Sequence, residues 1–422
     1  MVKKSKLVLA LAVALVMCCA SIPSVFADEE PAVATSEAAI TKVLKVPYGT
    51  AIPSSMSFDF EVTPLSVDGN AYNATTGNMP VLASPFTIDF DGGQTLEETV
   101  GGTSTYYRES GDIFDKADWP HAGVYIYQVV ETSGTYPIAD SNHETIRYSK
   151  AQYTLKVYVK EDASGAYYIY AIGAIKDLED DGEPGTGNKS DPTPGGGENN
   201  DYSQMIFNNE YIRTNGALDP EDPDPTNDDD STLSISKKVT GDFGSKELYF
   251  QYSLTINEPA LVLGGPNTYK AYVVENGAVV TEQVNGALGT DNFIEFTSGS
   301  KGSFSLKHDQ KLVFVNTPVG TSYDVEEAAA TGYVPNVAVV YNSESPVETS
   351  NTTADIKFGV TGEYVGELIN KADFTNERND VTTTGLNLND LPFIGLIALA
   401  IGSLVAFVVV KARKNRTLTD QA

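Results

Sequence analysis

In short runs spread along most of this chain, apolar residues occupy every second position. Phe58, Phe60 and Val62 share one face of SFDFEV, and Tyr153, Leu155, Val157 and Val159 share one face of YTLKVYV. Phe250, Tyr252, Leu254 and Ile256 continue the pattern, and KLVFV separates Leu312 and Phe314 from Val313 and Val315. A period of two over such runs, bounded by Gly, Asn, Asp and Pro, predicts half-buried antiparallel strands. No segment before residue 386 sustains a helical period over four turns. The 23 tyrosines point the same way, because aromatic side chains suit a pleated, half-buried surface. The expected fold class is all-β, built of β-sandwich modules.

Both ends stand apart from that fold. Lys3, Lys4 and Lys6 precede an apolar stretch over 7–20, and Ser-Val-Phe-Ala ends at Ala27 before Asp28, Glu29 and Glu30. A basic start, an apolar run and a small-residue exit make residues 1–27 a secretory signal, cut after Ala27. Cys18 could mark a lipoprotein site, but Met17 is bulky where a small residue is wanted. Cys18 and Cys19 both lie inside the signal, so the exported chain has no cysteine. It cannot use disulfides, the usual reinforcement of exported proteins, nor a cysteine nucleophile, thioester or thiolate-held metal. Near the other end, the apolar residues 391–410 are numerous enough to span a bilayer. Lys411, Arg413, Lys414 and Arg416 follow and would stay cytoplasmic. A net charge of −29 argues against nucleic acid as a partner, since phosphates would be repelled.

The remaining length, about 360 residues, suits two or three domains. LDPEDPDPTNDDD (218–230) has no apolar residue after Leu218, and its Pro/Asp alternation predicts an extended spacer. Modules are therefore expected at 38–211 and 232–378, joined by an acidic linker at 212–231. The acidic, Gly/Pro-rich stretch 177–201 is expected to be a mobile loop before a final strand. Its Asp177, Glu179, Asp181 and Gly182 faintly suggest a calcium loop, but Asn188 stands where the closing Glu would be.

The two modules repeat each other. One opens with AITKVLKV, the other with LSISKKVTG; GVYIYQVVE in the first answers VGTSYDVEE in the second; IFNNE and DFTNE close them. The two-residue period then places Lys42 with Ile40 and Leu44, Glu131 with Tyr125, Tyr127 and Val129, and Asn209 with Met205 and Phe207. In the second module it places Lys237 with Leu233, Ile235 and Val239, Glu327 with Tyr323 and Val325, and Asn376 with Phe374. One Lys, one Glu and one Asn per module thus point into an apolar core. Taken singly, each would ordinarily be a solvated or turn residue; the recurrence of the whole triad outweighs that reading.

Burial favours the neutral amine of a lysine and the protonated form of a carboxylic acid. A neutral amine is a nucleophile, and a neighbouring carboxyl can polarise an amide carbonyl and shuttle protons. The expected outcome is an amide bond from Lys to Asn with loss of ammonia. Glu131 and Glu327 would assist it, and the bond would tie the first strand of each module to its last.

With these residues in place, the chain resembles the isopeptide-linkage domains of streptococcal-type backbone pilins, as two tandem modules over nearly its whole exported length. The family pattern has a Lys in TK-x-L, a Glu in GVYYYKVTE and an Asn in FTN. Lys42, Glu131 and Asn209 match it in the first module, and Lys237, Glu327 and Asn376 in the second. Lys45, Lys238 and Asn208 are adjacent second choices. The resemblance implies immunoglobulin-like sandwiches stacked end to end. YDVEEAAATGY (323–333) is similar to the E-box of Gram-positive pilins, one residue shorter and without its proline.

Motif, apolar span and basic tail also resemble a cell-wall sorting signal over 381–416, read by a sortase transpeptidase that cuts between Thr and Gly. LPFIG (391–395) lacks the Thr and lies at the membrane boundary, whereas VTTTG (381–385) has Thr384-Gly385 and a spacer outside it. The cut is therefore assigned to Thr384-Gly385. The family implies that a lysine of another subunit attacks the Thr384 acyl-enzyme. Lys189 is the candidate acceptor and Lys176 its runner-up. Implied partners are the sortase, other pilin subunits or peptidoglycan, and host-surface ligands, at the wall of a Gram-positive bacterium. The alternative is a wall-anchored adhesin or accessory pilin that does not polymerise. No cofactor or metal site is expected, and no enzyme activity beyond self-directed bond formation: His121, His143 and His308 are scattered.

Overall fold

The computed structural model describes residues 35–419 apart from 83–85, 93, 140, 142–143, 197–201, 214–223, 262–267, 282–291 and 380–390. The signal segment and Thr384-Gly385 lie outside the described residues. Strands between Thr41 and Arg213 form a five-stranded and a seven-stranded sheet, and strands between Leu233 and Glu377 form an eight-stranded and a four-stranded sheet. Among the described residues the fold is all-β, apart from two three-residue 3-10 turns, up to the C-terminal helix Leu391–Thr419.

Each pair of sheets encloses one core. Leu44 and Phe207 of the five-stranded sheet, with Ile40 just before it, meet Phe58, Phe60, Tyr125, Tyr127 and Tyr153 of the seven-stranded one. In the second half Leu233, Ile235, Phe314 and Phe374 meet Tyr252, Leu254, Phe304 and Val325. The alternating positions of the sequence are the buried ones, as a sandwich with one solvated face per sheet requires. The strand Gln310–Phe314 departs from this. It lies between Leu233–Thr240 and Thr268–Glu275, and its outward Val313 packs with Val274 and Val315 in a small separate cluster.

The opening and closing strands of each half are neighbours and run parallel. Thr41–Pro47 pairs with Ile206–Arg213 in the register Lys42 to Phe207 and Leu44 to Asn209. Leu233–Thr240 pairs with Lys371–Glu377 in the register Lys237 to Phe374 and Val239 to Asn376. The two registers are the same. A parallel pair cannot be closed by a hairpin, so almost the whole of each half lies between its first and last strand.

Two stretches differ from the sequence expectation. The strand Tyr167–Leu178 runs into the start of 177–201, and Lys189–Ser190 pairs back onto it. Asp180 there is not a solvated loop charge, because Ser149 Oγ, the Asn208 backbone N–H, Asn208 Nδ2 and Lys176 Nζ all donate to its carboxylate. Acidic composition suggested solvation, whereas tertiary donors hold this residue in place. In the spacer, Asn227 caps a short turn at Asp228–Asp230 where an extended segment was expected.

The two halves touch. The Tyr48 ring stacks on Tyr341 at 5.4 Å and meets Tyr364 edge-on at 4.9 Å. Glu367 accepts from the Ala51 N–H at 3.0 Å and pairs with Arg213 at 3.6 Å. Gly320 has φ +84°, and a Cβ there would come within 2.9 Å of Pro47, so glycine is required at this approach.

The side chains of the C-terminal helix are described over 395–411 only, about 25 Å of helix at ~1.5 Å per residue. The apolar segment 391–410 begins before that stretch. Among the described residues no helix is long and apolar enough to cross a membrane.

Candidate functional site

The parallel pairing puts Lys42 and Asn209 on one face of one sheet, offset by two residues along adjacent strands. Glu131 ends the strand Gly123–Glu131 of the opposite sheet, paired with Phe60. Its carboxylate bridges the other two side chains. Lys42 Nζ donates to Glu131 Oε2 at 2.8 Å, and Asn209 Nδ2 donates to Glu131 Oε1 at 2.6 Å. Lys42 also donates to the Phe207 carbonyl at 3.1 Å and lies 4.8 Å from the centre of the Phe58 ring. The side chains of the Lys42–Glu131 pair are both 0 % exposed.

Burial sets the electrostatics. It lowers the Lys42 ammonium from 10.5 to about 8, against the pull of Glu131 in the other direction. Burial also raises the Glu131 carboxyl, opposed by Lys42 and by hydrogen bonds from Lys42 and Asn209. Both shifts favour moving one proton from the amine to the acid, the form in which the amine attacks. The carboxyl stands against the amide nitrogen of Asn209 rather than its carbonyl, where the sequence pattern placed it. The carbonyl oxygen takes a different donor, the Ser149 backbone N–H at 2.7 Å.

The second half repeats the arrangement. Lys237 Nζ donates to Glu327 Oε2 at 2.7 Å, and Asn376 Nδ2 donates to Glu327 Oε1. Burial lowers Lys237 to about 8, and its Nζ lies 4.0 Å from the centre of the Phe250 ring. Two details differ. Tyr252 donates its hydroxyl to Glu327 Oε2 at 2.9 Å, and Asn376 Oδ1 has no partner among the described residues.

All six residues named from the sequence therefore come together as two buried triads. Of the adjacent candidates, Lys45 is half-buried, Lys238 is exposed, and Asn208 turns to Asp180. Ser149, Asp180 and Tyr252 were not among the sequence candidates. Tyr252 could have been noticed as a hydroxyl on an apolar strand face, while Ser149 carried no local signal. Lys189 is exposed on its short strand, whereas Lys176 pairs with Glu179 at 2.8 Å and Asp180 at 3.3 Å. His121 contacts the Ala122 carbonyl and His308 accepts from the Val239 N–H. His143 lies outside the described residues. Among the described residues no group of His, Cys, Asp and Glu could hold a metal ion.

The chain is thus a tandem of β-sandwiches, each holding one buried Lys–Glu–Asn triad. Residues 231–378 match a family described as a domain of unknown function (DUF7601). Over 382 residues the chain is 22 % identical to a protein named Pilin from Streptococcus pyogenes serotype M1, covering 87 % of this chain and 89 % of that one. Among solved structures it is similar to the major pilin of Streptococcus pyogenes, at 19 % identity and a TM-score of 0.32, covering 82 % of this chain and all of that one. A pilus-presented adhesin aligns at 12 % identity and a TM-score of 0.23, over 81 % of this chain and all of that one. The similarity to the protein named Pilin thus extends along most of the chain.

Proposed function

We propose that this chain is the shaft subunit of a covalent pilus, each of its two modules, 38–211 and 232–378, stapled by one internal amide bond. The observation that carries this reading is the duplicated triad: a buried amine and a buried side-chain amide, bridged by one carboxyl, in the same strand register twice. Lys42 would bond to Asn209 and Lys237 to Asn376, each releasing ammonia, with Glu131 and Glu327 carrying protons. A cross-link between the first and last strands lets tension along the chain pass through a covalent bond without unravelling the sandwich. The overall likeness to a streptococcal Pilin supports the pilus assignment.

Attachment completes the proposal. A sortase would cut between Thr384 and Gly385 while 391–410 holds the precursor in the membrane, then pass the Thr384 acyl group to a lysine of another subunit or to peptidoglycan. Lys189, exposed and next to the closing region of the first module, suits that acceptor role. The test is intact mass: the purified chain should weigh less than its sequence by two ammonia molecules, and full sequence mass would refute the cross-links.

A further inference from the structure

The first triad contains more than the three reacting side chains. Asn209 Oδ1 accepts a hydrogen bond of 2.7 Å from the Ser149 N–H, and Asn209 is 0 % exposed. Ser149 is fixed through its hydroxyl, which donates to Asp180 Oδ1 at 2.5 Å. Asp180 also accepts from the Asn208 backbone N–H at 2.9 Å and from Asn208 Nδ2 at 2.8 Å. One carboxylate therefore clamps the donor residue and the immediate chain neighbour of the acceptor. In the second triad the corresponding oxygen, Asn376 Oδ1, is buried with no donor among the described residues.

From this geometry we infer that the Ser149 backbone N–H is an oxyanion donor for cross-linking in the first module, and that Asp180 is the residue that positions it. The inference rests on the cross-link proposed above. Lys42 passes a proton to Glu131, and the neutral Nζ attacks Asn209 Cγ. The π electrons of the carbonyl move onto Oδ1, where negative charge develops against the Ser149 N–H. Glu131 delivers its proton to Nδ2 and takes one of the two protons left on Nζ, the Cγ–Nδ2 bond breaks and ammonia departs, leaving the Nζ–Cγ amide with one N–H and Glu131 protonated. A fixed donor at a dry carbonyl lowers the barrier to such a step, because it requires no reorganisation as charge appears.

The full chain, recovered unfolded from inclusion bodies before any bond has formed, is diluted into native buffer. Each bond is then followed by mass spectrometry of the peptides joining Lys42 to Asn209 and Lys237 to Asn376. Refolding of the first module is read from the fluorescence of Trp119, the one tryptophan, buried against Phe114 and Tyr125. Asp180→Ala should slow the Lys42–Asn209 bond about 10- to 100-fold, part of what loss of an oxyanion donor costs, with Trp119 and the Lys237–Asn376 bond at wild-type rates. Asp180→Asn, which can still accept from Ser149, should recover part of the rate. If Asp180→Ala fails to regain the Trp119 signal, Ser149→Ala decides, since it removes the hydroxyl tether, and the bond that hydroxyl accepts from the Ala151 N–H, while leaving Asp180 on Asn208. A Lys42–Asn209 bond forming at the wild-type rate in the folded variants overturns the inference while leaving the cross-link intact. A wild-type chain that never forms the bond overturns the cross-link itself.

Discussion

Glu131 reaches Lys42 from the opposite sheet, its Oε2 2.8 Å from the lysine Nζ, with both side chains fully buried. The ion pair therefore spans the sandwich, while the bond to Asn209 would run within one sheet, between its first and last strands. Ion pair and cross-link are successive states of Lys42, because acylation turns its Nζ into an uncharged amide and ends the pair. Asn209→Ala removes the bond and keeps the pair. A cross-link closing a loop of well over a hundred residues contributes about 5 kcal/mol by its effect on the unfolded chain. At roughly 2–4 °C per kcal/mol for a module of this size, melting should fall by about 10–20 °C. Glu131→Ala also leaves the Lys42 ammonium buried without its carboxylate, with the Phe207 carbonyl as acceptor, which costs about 3–5 kcal/mol more. Calorimetry should rank wild type above Asn209→Ala above Glu131→Ala; equal melting of the first two would mean that the bond does not form.

How much of this was legible in the sequence depends on how far each feature reaches. Lys42, Glu131 and Asn209 could be picked out because strand period alone sorts a residue to the core face, and a second copy removes chance from the choice. The parallel pairing of the first and last strands was not legible, because alternation predicted antiparallel strands and says nothing of strand direction. Asp180 could not be read, because its acidic neighbours suggest solvent and its donors, Ser149 and Asn208, come from other parts of the chain. The same holds for the joint, where Tyr48 meets Tyr341 across the two halves. Val313 and Val315 looked like one face of a half-buried strand because alternation cannot tell that a central strand is covered on both sides.

The pH dependence of bond formation follows from the two shifts. Reaction needs one proton on the pair, held by Glu131 while Lys42 is neutral. As pH rises through about 8, Lys42 and Glu131 together lose that proton, and no acid remains to protonate the departing nitrogen. As pH falls through the raised value of Glu131, both groups are protonated and the ammonium cannot attack. Ammonia release after refolding should therefore pass through a maximum below pH 8 and decline on both sides. A rate that climbs steadily to pH 10 would show that lysine deprotonation alone is limiting.

Polymerisation should depend on Lys189 far more than on Lys176. Lys189 is exposed, while Lys176 is held by Glu179 and Asp180 and would have to give up both ion pairs to attack an acyl-enzyme. Lys189→Ala should abolish the ladder of detergent-resistant multimers in cells carrying the matching sortase, and Lys176→Ala should leave most of it. A single wall-linked species in the wild type would instead favour a non-polymerising adhesin.

The joint between the halves sets how stiff a shaft of such subunits can be. Tyr48 supplies two ring contacts, a stack on Tyr341 and an edge contact on Tyr364, each worth about 0.5–1.5 kcal/mol beyond the area it buries. The Arg213–Glu367 pair at 3.6 Å adds less, being partly open to water. Tyr48→Ala should therefore remove the larger part of the joint, on the order of 1–3 kcal/mol, without touching either triad. Small-angle scattering should show a broader distribution of maximum dimensions for this variant than for Arg213→Ala, with ammonia loss complete in both. If Tyr48→Ala keeps the wild-type profile, the tyrosine cluster does not hold the two modules together, and the close approach at Gly320 and the backbone contact to Glu367 must do so.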